Sequence, residues 1–169
     1  MFFLVLLFLL ILILGTAAYA GLLAAPWVPT FGKDIDRVLR FVPLTHQDKV
    51  VDLGSGDGRV LTALATSGAD VHGYEISLLP FLVSKLRIRL KRSANCFVHY
   101  KNFWNVNLGE FNVVYLFLLP KVYPRLREKL ERELKPGARV VAMLWPVEGW
   151  VPIKVDEVRL RPSIYLYQR

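Results

Sequence analysis

Charge is missing from the start of this chain. From Phe2 to Val28 there is no charged residue, and Phe2 to Leu14 is apolar without interruption. A helix from Phe2 to Ala25 would be about 36 Å long, enough to cross a hydrocarbon layer of roughly 30 Å. The rival reading is a cleaved signal peptide, since Ala18-Tyr19-Ala20 has the small-x-small form of a cleavage site. Against it stands a second absence: no Lys or Arg precedes the apolar run, where such a signal needs its positive start. Cysteine is almost absent too. Cys96 stands alone, which excludes an intramolecular disulfide and suits a reducing compartment. The three histidines, His46, His72 and His99, show no spacing with cysteine or carboxylates that would make a metal site, so no metal is expected.

Acidic residues are the scarcer charge, 14 against 22 basic ones, for a formal net charge of +8 over 169 residues. That length has room for one core domain and an appendage. Lys33, Arg37 and Arg40 follow the apolar run, so the positive-inside tendency keeps the remainder of the chain in the cytoplasm, as a single-pass membrane protein. The densest basic segment, Lys85 to Arg92, reads as a helix face turned to solvent or to acidic lipid headgroups, and no nucleic-acid partner is expected. Ala17, Gly21 and Ala25 recur every four residues and offer a small-residue packing face, which by itself does not establish an oligomer.

The chemistry concentrates at Asp52-Leu53-Gly54-Ser55-Gly56-Asp57-Gly58-Arg59, between the apolar run Lys49-Val50-Val51 and the periodic segment Val60 to Leu64. A strand that breaks into three alternating glycines before a helix is a nucleotide-cofactor turn. Glycine permits positive φ there and leaves room for a ligand against the main chain. Dinucleotide folds space these glycines as Gly-x-Gly-x-x-Gly, whereas here the third comes one residue early and Asp52 stands two before the first. Glu75 ends the next strand-like run, about 20 residues on, where a carboxylate can accept hydrogen bonds from two ribose hydroxyls of either cofactor type. A bare glycine turn and a nicotinamide site are the alternatives at this point.

Hydrophobic periodicity predicts strands at 49–53, 70–76, 96–101, 111–118 and 138–145, helices at 58–67, 78–92 and 121–134, and two C-terminal runs near 153–160 and 163–168. Strands alternating with helices imply a parallel α/β sheet with its ligand at the carboxyl ends of the strands. Asp34 to Val42 reads as a short amphipathic helix through Ile35, Val38, Leu39 and Val42. Leu79, Leu82, Val83, Leu86 and Leu90 form the expected buried stripe of the helix at 78–92, and Glu128–Arg132 and Glu131–Lys135 are the expected i, i+4 pairs of the helix at 121–134. Between the third and fourth strands only Trp104 to Glu110 remains, too little for a full helix. Three regions follow: an anchor at 1–28, a connector at 29–48 and an α/β domain at 49–169.

The glycine pattern resembles motif I of the class I S-adenosylmethionine-dependent methyltransferases. More of the chain resembles one branch of them: the small single-span protein-lysine methyltransferases whose mitochondrial members modify the c-ring protein of ATP synthase and the adenine nucleotide translocase, with prokaryotic relatives. The segments that carry this are Pro26-Trp27-Val28-Pro29, Asp52 to Arg59, Gly73-Tyr74-Glu75, Trp104 to Leu108, and Phe117-Leu118-Leu119-Pro120 through Pro136-Gly137 to Trp150. The resemblance implies a trimmed Rossmann-like class I methyltransferase sheet closed by an antiparallel pair, with an N-terminal transmembrane helix. It implies S-adenosylmethionine as cofactor, Asp52 at its methionine ammonium, and Gly54, Gly56 and Gly58 beside its aminoacyl and ribose parts. Where the family carries Asp-Leu-Trp, this chain has Asn102-Phe103-Trp104. Asn102 then offers a carbonyl to the adenine amino group, and Phe103 either packs on the adenine or fills the core. No catalytic residue is diagnostic for methyl transfer to an amine; Asp36, Pro120 and Trp150 are the weak acceptor-side candidates. The Asn/Asp-Pro-Pro-aromatic motif used on planar amines is absent from the fourth strand end, which disfavours DNA adenine and glutamine substrates. The implied partners are membrane lipid and a membrane-protein substrate. A methyltransferase of a membrane-embedded small molecule or lipid, and a non-catalytic cofactor-binding membrane protein, are the other functions open to this sequence.

Overall fold

The computed structural model describes residues 1–24 and 27–169. Ala25 and Pro26 lie outside the described residues, and with them the last residue of the expected span, the third member of the Ala17, Gly21, Ala25 series and the first proline of the connector. The uncharged run forms helix α1 (Phe2–Leu23) and the amphipathic segment forms α2 (Gly32–Phe41), which buries Ile35, Val38 and Phe41. Then β1 (Lys49–Leu53), α3 (Arg59–Leu64), β2 (Asp70–Glu75), α4 (Leu78–Lys91), β3 (Cys96–Tyr100), β4 (Val113–Leu116), α5 (Tyr123–Glu133), β5 (Arg139–Met143), β6 (Lys154–Asp156) and β7 (Ile164–Gln168) follow in order. Short 3₁₀ turns extend α3 at Ala65–Ser67 and introduce α5 at Pro120–Val122, so both helices are shorter than their apolar periodicity suggests.

The seven strands lie in the order β3-β2-β1-β4-β5-β7-β6, with the first five parallel and β7 antiparallel to both β5 and β6. The parallel part is the sheet that the alternation of strands and helices predicts, and the antiparallel closing pair is the one that the methyltransferase resemblance implies. Successive β1 residues point to opposite faces, and both faces are covered. Val51 and Leu53 join a core with Leu116, Leu126 and Leu130, while Val50 joins one with Val38, Leu61 and Val71. The connector is tied to the closing pair by ion pairs: Asp34, 2% exposed, meets Arg37 at 3.1 Å and Arg161 at 3.2 Å, and Arg37 meets Asp156 at 3.0 Å.

The link from β3 to β4 carries a 3₁₀ turn at Phe103–Asn105 and no full helix. Val106, Leu108 and Phe111 cover the sheet face there. Lys129, buried on α5, donates to the Val106 carbonyl at 2.6 Å and to Glu133 at 2.7 Å, so the irregular segment keeps partners for its backbone.

Two expectations fail on the helices. The apolar stripe of α4 is not buried: Leu79, Leu82, Val83, Leu86 and Leu90 are all exposed, and the residues packed inward are Pro80, Ser84 and Ile88. The reason is the close approach of α4 to the glycine turn, which only a small residue allows, and the reach of Arg87 to the Asp57 carbonyl and carboxylate, both at 2.9 Å. On α5 the i, i+4 pairs that form are Arg127–Glu131 at 3.1 Å and Lys129–Glu133 at 2.7 Å, not those expected, because Arg132 turns to Glu133 at 2.9 Å, Glu131 is also held by Trp150 Nε1 at 2.8 Å, and the helix ends before Lys135.

Candidate active site

The carboxyl ends of β1, β2 and β4 bring the acidic residues together. Asp52, next to last in β1, is in register with Gly73 of β2 and Tyr115 of β4, and Glu75 is the last residue of β2. Between them the chain turns through Gly54, Gly56 and Gly58, at φ +83°, +54° and +74°. These left-handed conformations explain the alternating glycines. Glu75 holds the turn by its carboxylate: Oε2 accepts the Gly56 N–H at 2.8 Å, and Oε1 accepts those of Ile76 at 2.8 Å and Ser77 at 2.6 Å. A carboxylate has about four acceptor sites, so capacity remains for a ribose hydroxyl.

Asp52 is 3% exposed and lacks the compensation that Glu75 enjoys. Burial, followed by repulsion from Glu75, pushes its carboxyl up to about 8. A buried acid held neutral for want of a partner is suited to a cationic ligand group, which would restore its charge. Asp57, one position beyond Gly56, behaves oppositely. Burial pushes its carboxyl up, but hydrogen bonds and charge from Arg59 and then Arg87 hold it below the usual range. Its role is to fasten α3 and α4 to the turn.

One cleft runs across this edge. Asp52, Gly54, Gly56, Glu75, Asn102 and Phe103 line it, so six of the seven cofactor-side residues inferred from sequence are gathered there. Gly58 is not. A Cβ at Gly58 would lie 2.2 Å from Ser84 Oγ and 3.0 Å from its Cβ, so the third glycine serves helix packing. The Asn102 carbonyl caps the following turn by accepting the Trp104 N–H at 3.0 Å, which leaves its second lone pair for a ligand amine. Phe103 is buried, its ring centroid 4.8 Å from that of Trp104.

The acceptor-side candidates fall outside the cleft. Asp36 is exposed on α2 and Pro120 is exposed just beyond Leu119, which does line the cleft. Trp150 donates from Nε1 to Glu131 at 2.8 Å and packs edge-on against Tyr167, a structural position. The far wall is instead apolar and comes from segments not singled out for this purpose: Leu23, Ala24 and Trp27 at the end of α1 and in the connector, and Leu118, Leu144 and Trp145 beyond β4 and β5. Trp27, legible in sequence as an interfacial aromatic, covers the glycine turn so closely that a Cβ on Gly56 would meet its ring at 2.8 Å. Leu144 has φ +74°, a strained conformation for a branched side chain that no sequence signal announces.

Histidine and cysteine take no part in the cleft. Among the described residues no group of three or more His, Cys, Asp or Glu is placed to hold a metal ion. His72 and His99 contact each other at 3.1 Å between β2 and β3, and burial pushes the Cys96 thiol up to about 12, which makes it inert.

The glycine cradle, the uncompensated Asp52 and the clamped Glu75 fit a cofactor with a cationic aminoacyl group and ribose hydroxyls. Comparison with known proteins agrees. The family described as ANTKMT methyltransferase domain matches residues 52–154. A protein-lysine N-methyltransferase of Saccharolobus islandicus (strain REY15A) is 34% identical over 152 residues, covering 84% of this chain and 92% of that protein. The adenine nucleotide translocase lysine N-methyltransferase of Mus musculus is 37% identical over 137 residues, 79% of this chain; the match spans 58% of that longer protein. Among solved structures, the RNA methyltransferase from Salinibacter ruber in complex with S-adenosyl-L-homocysteine superposes with a TM-score of 0.78 at 29% identity, covering 83% of this chain and 93% of that one.

Proposed function

The chain belongs to the ANTKMT methyltransferase domain family, with a class I methyltransferase sheet and S-adenosylmethionine as its cofactor, and on that premise we propose that it methylates a lysine side chain of a membrane protein. In this reading α1 anchors the enzyme in a bilayer and Lys33, Arg37 and Arg40 keep the domain on the cytoplasmic side. The observation that carries the reading is the composition of the cleft. The residues fitted to the cofactor share it with the end of the apolar helix, through Leu23, Ala24 and Trp27. Methyl acceptors that reach this cleft past α1 are acceptors held in or at the membrane.

The bound cofactor supplies an electrophilic methyl group whose sulfur departs as a neutral thioether, so no acid is required of the protein. Asp52 and Glu75 hold the cofactor's charged and hydroxyl groups, and the glycine turn admits its backbone-facing side. A lysine must arrive as the free amine, because its lone pair forms the new N–C bond as the C–S bond breaks. The wall of Trp27, Leu118, Leu144 and Trp145 would keep bulk water from a bound amine and lower its proton affinity, which favours the free amine that methyl transfer needs. The proton displaced from the amine passes to solvent.

An apolar wall would also accept a membrane-embedded small molecule. Membranes containing the full-length protein, incubated with isotopically labelled S-adenosylmethionine, distinguish the readings. Label on protein lysine, located by mass spectrometry, supports the proposal. Label extracted with lipid transfers the activity to a small molecule, and absence of label in both fractions leaves a cofactor-binding membrane protein.

A further inference from the structure

Among the described residues, the outward face of α4 is an apolar stripe left exposed. At 100° per residue Leu79, Leu82, Val83, Leu86 and Leu90 fall on one side of the helix, opposite the packed face of Pro80, Ser84 and Ile88. Leu86 is 57% and Leu90 74% exposed. Lys85 and Arg89 border the stripe along one side, each exposed.

The position of α1 indicates what covers this stripe. The domain grips α1 well before its end: the Leu78 N–H donates to Thr16 Oγ1 at 3.2 Å, Ala20 is buried, and Lys121 Nζ donates to the Gly21 carbonyl at 2.7 Å. The apolar side chains of α1 before Thr16 stand clear of these contacts and none is buried, so the lipid-facing part of the helix runs directly up to the first turn of α4. A bilayer that covers the exposed apolar side chains of α1 up to Thr16 therefore also reaches the domain surface beside Thr16. That surface is the first turn of α4, where the leucine stripe begins.

We propose that α4 is an in-plane membrane helix, its leucine stripe seated at the boundary of acyl chains and headgroups of an anionic bilayer, with Lys85 and Arg89 at the lipid phosphates. The inference rests on α1 being a membrane anchor. It adds a second contact that fixes the domain's tilt and places the cleft mouth at headgroup depth.

The test uses the full chain in vesicles of zwitterionic and anionic phospholipid, with a nitroxide placed singly at Leu82→Cys, Leu86→Cys or Leu90→Cys; Cys96 is buried and stays unlabelled. Ile11→Cys on α1 and Gln47→Cys, exposed before β1, are the lipid and water references. Preferential collision with oxygen over a water-soluble nickel chelate at all three α4 positions, as at Ile11, is the expected result. If the α4 labels follow Gln47 while Ile11 stays lipid-facing, the proposal falls and the anchor stands. If Ile11 also follows Gln47, the anchor reading has failed and the proposal with it. Protection from both reagents with spin–spin broadening would assign the stripe to a second copy of the chain and overturn the proposal. Lys85→Gln with Arg89→Gln should move the labels toward water in vesicles containing anionic lipid and leave them unmoved in purely zwitterionic ones; the same depth shift in both would remove the lipid phosphates from the proposal.

Discussion

Glu75 and Gly56, 19 residues apart, are joined by a buried hydrogen bond of 2.8 Å from the glycine amide to the carboxylate. The same carboxylate takes the amides of Ile76 and Ser77, so one side chain sets both the glycine turn and the start of α4. Glu75→Ala removes these acceptors and, in the proposed cofactor site, the acceptor for a ribose hydroxyl. The expected loss of S-adenosylmethionine affinity is on the order of 1.5–3 kcal/mol, with Glu75→Gln between that variant and the parent. Calorimetric titration measures it; equal affinity in all three proteins would remove Glu75 from the cofactor site.

Asp52 makes the cofactor-free protein sensitive to pH. Its folded value, about 8, lies above its ordinary 3.8, so the folded state binds the extra proton between those values. Stability from this group is therefore full below about pH 4 and is lost as pH rises toward 8. Asp52→Asn should melt higher than the parent at pH 8, with the gap closing toward pH 4. Cofactor binding at pH 7 should release a proton from the parent and less from the variant, read by titration in buffers of different ionisation enthalpy. Identical proton release by both proteins would count against Asp52 as partner of the cationic group.

Gly56 and Gly58 should respond differently to alanine. Gly58→Ala meets Ser84 at 2.2 Å in a left-handed conformation and should cost on the order of 1–3 kcal/mol of stability, partly recovered by Ser84→Gly. Gly56→Ala meets the Trp27 ring at 2.8 Å and should act mainly on cofactor affinity, with Trp27→Ala partly relieving it. Thermal melting and titration of the four single and two double variants check both pairings.

Arg37 holds the connector to the closing strands. Arg37→Met strands Asp34, which is 2% exposed, with Arg161 as its remaining ion-pair partner, and should cost about 3–5 kcal/mol. The urea midpoint of the full-length protein in detergent measures it. A change under about 1 kcal/mol would show the network to be incidental.

Much of this protein was legible in its sequence because its signals are local. Three alternating glycines after Val50-Val51-Asp52 permit the positive φ of a tight turn, and the strand and helix periods around them do not depend on what packs above. The uncharged run from Phe2 to Val28 and the missing helix after Asn102 were visible for the same reason, whereas the antiparallel pairing of the last two strands came from the family resemblance. What tertiary structure decided is which side of an element faces inward and what else arrives at the site. The leucines of α4 satisfy every local rule for a core stripe, yet the approach of Ser84 to Gly58 and of Arg87 to Asp57 turned the helix the other way. The third glycine became a packing contact, Trp27 came to lie over the second, and the apolar wall of the cleft was assembled from Leu23, Leu118 and Leu144, residues far apart in the chain. No local pattern encodes such meetings, because they follow from the closure of the whole sheet around its two cores.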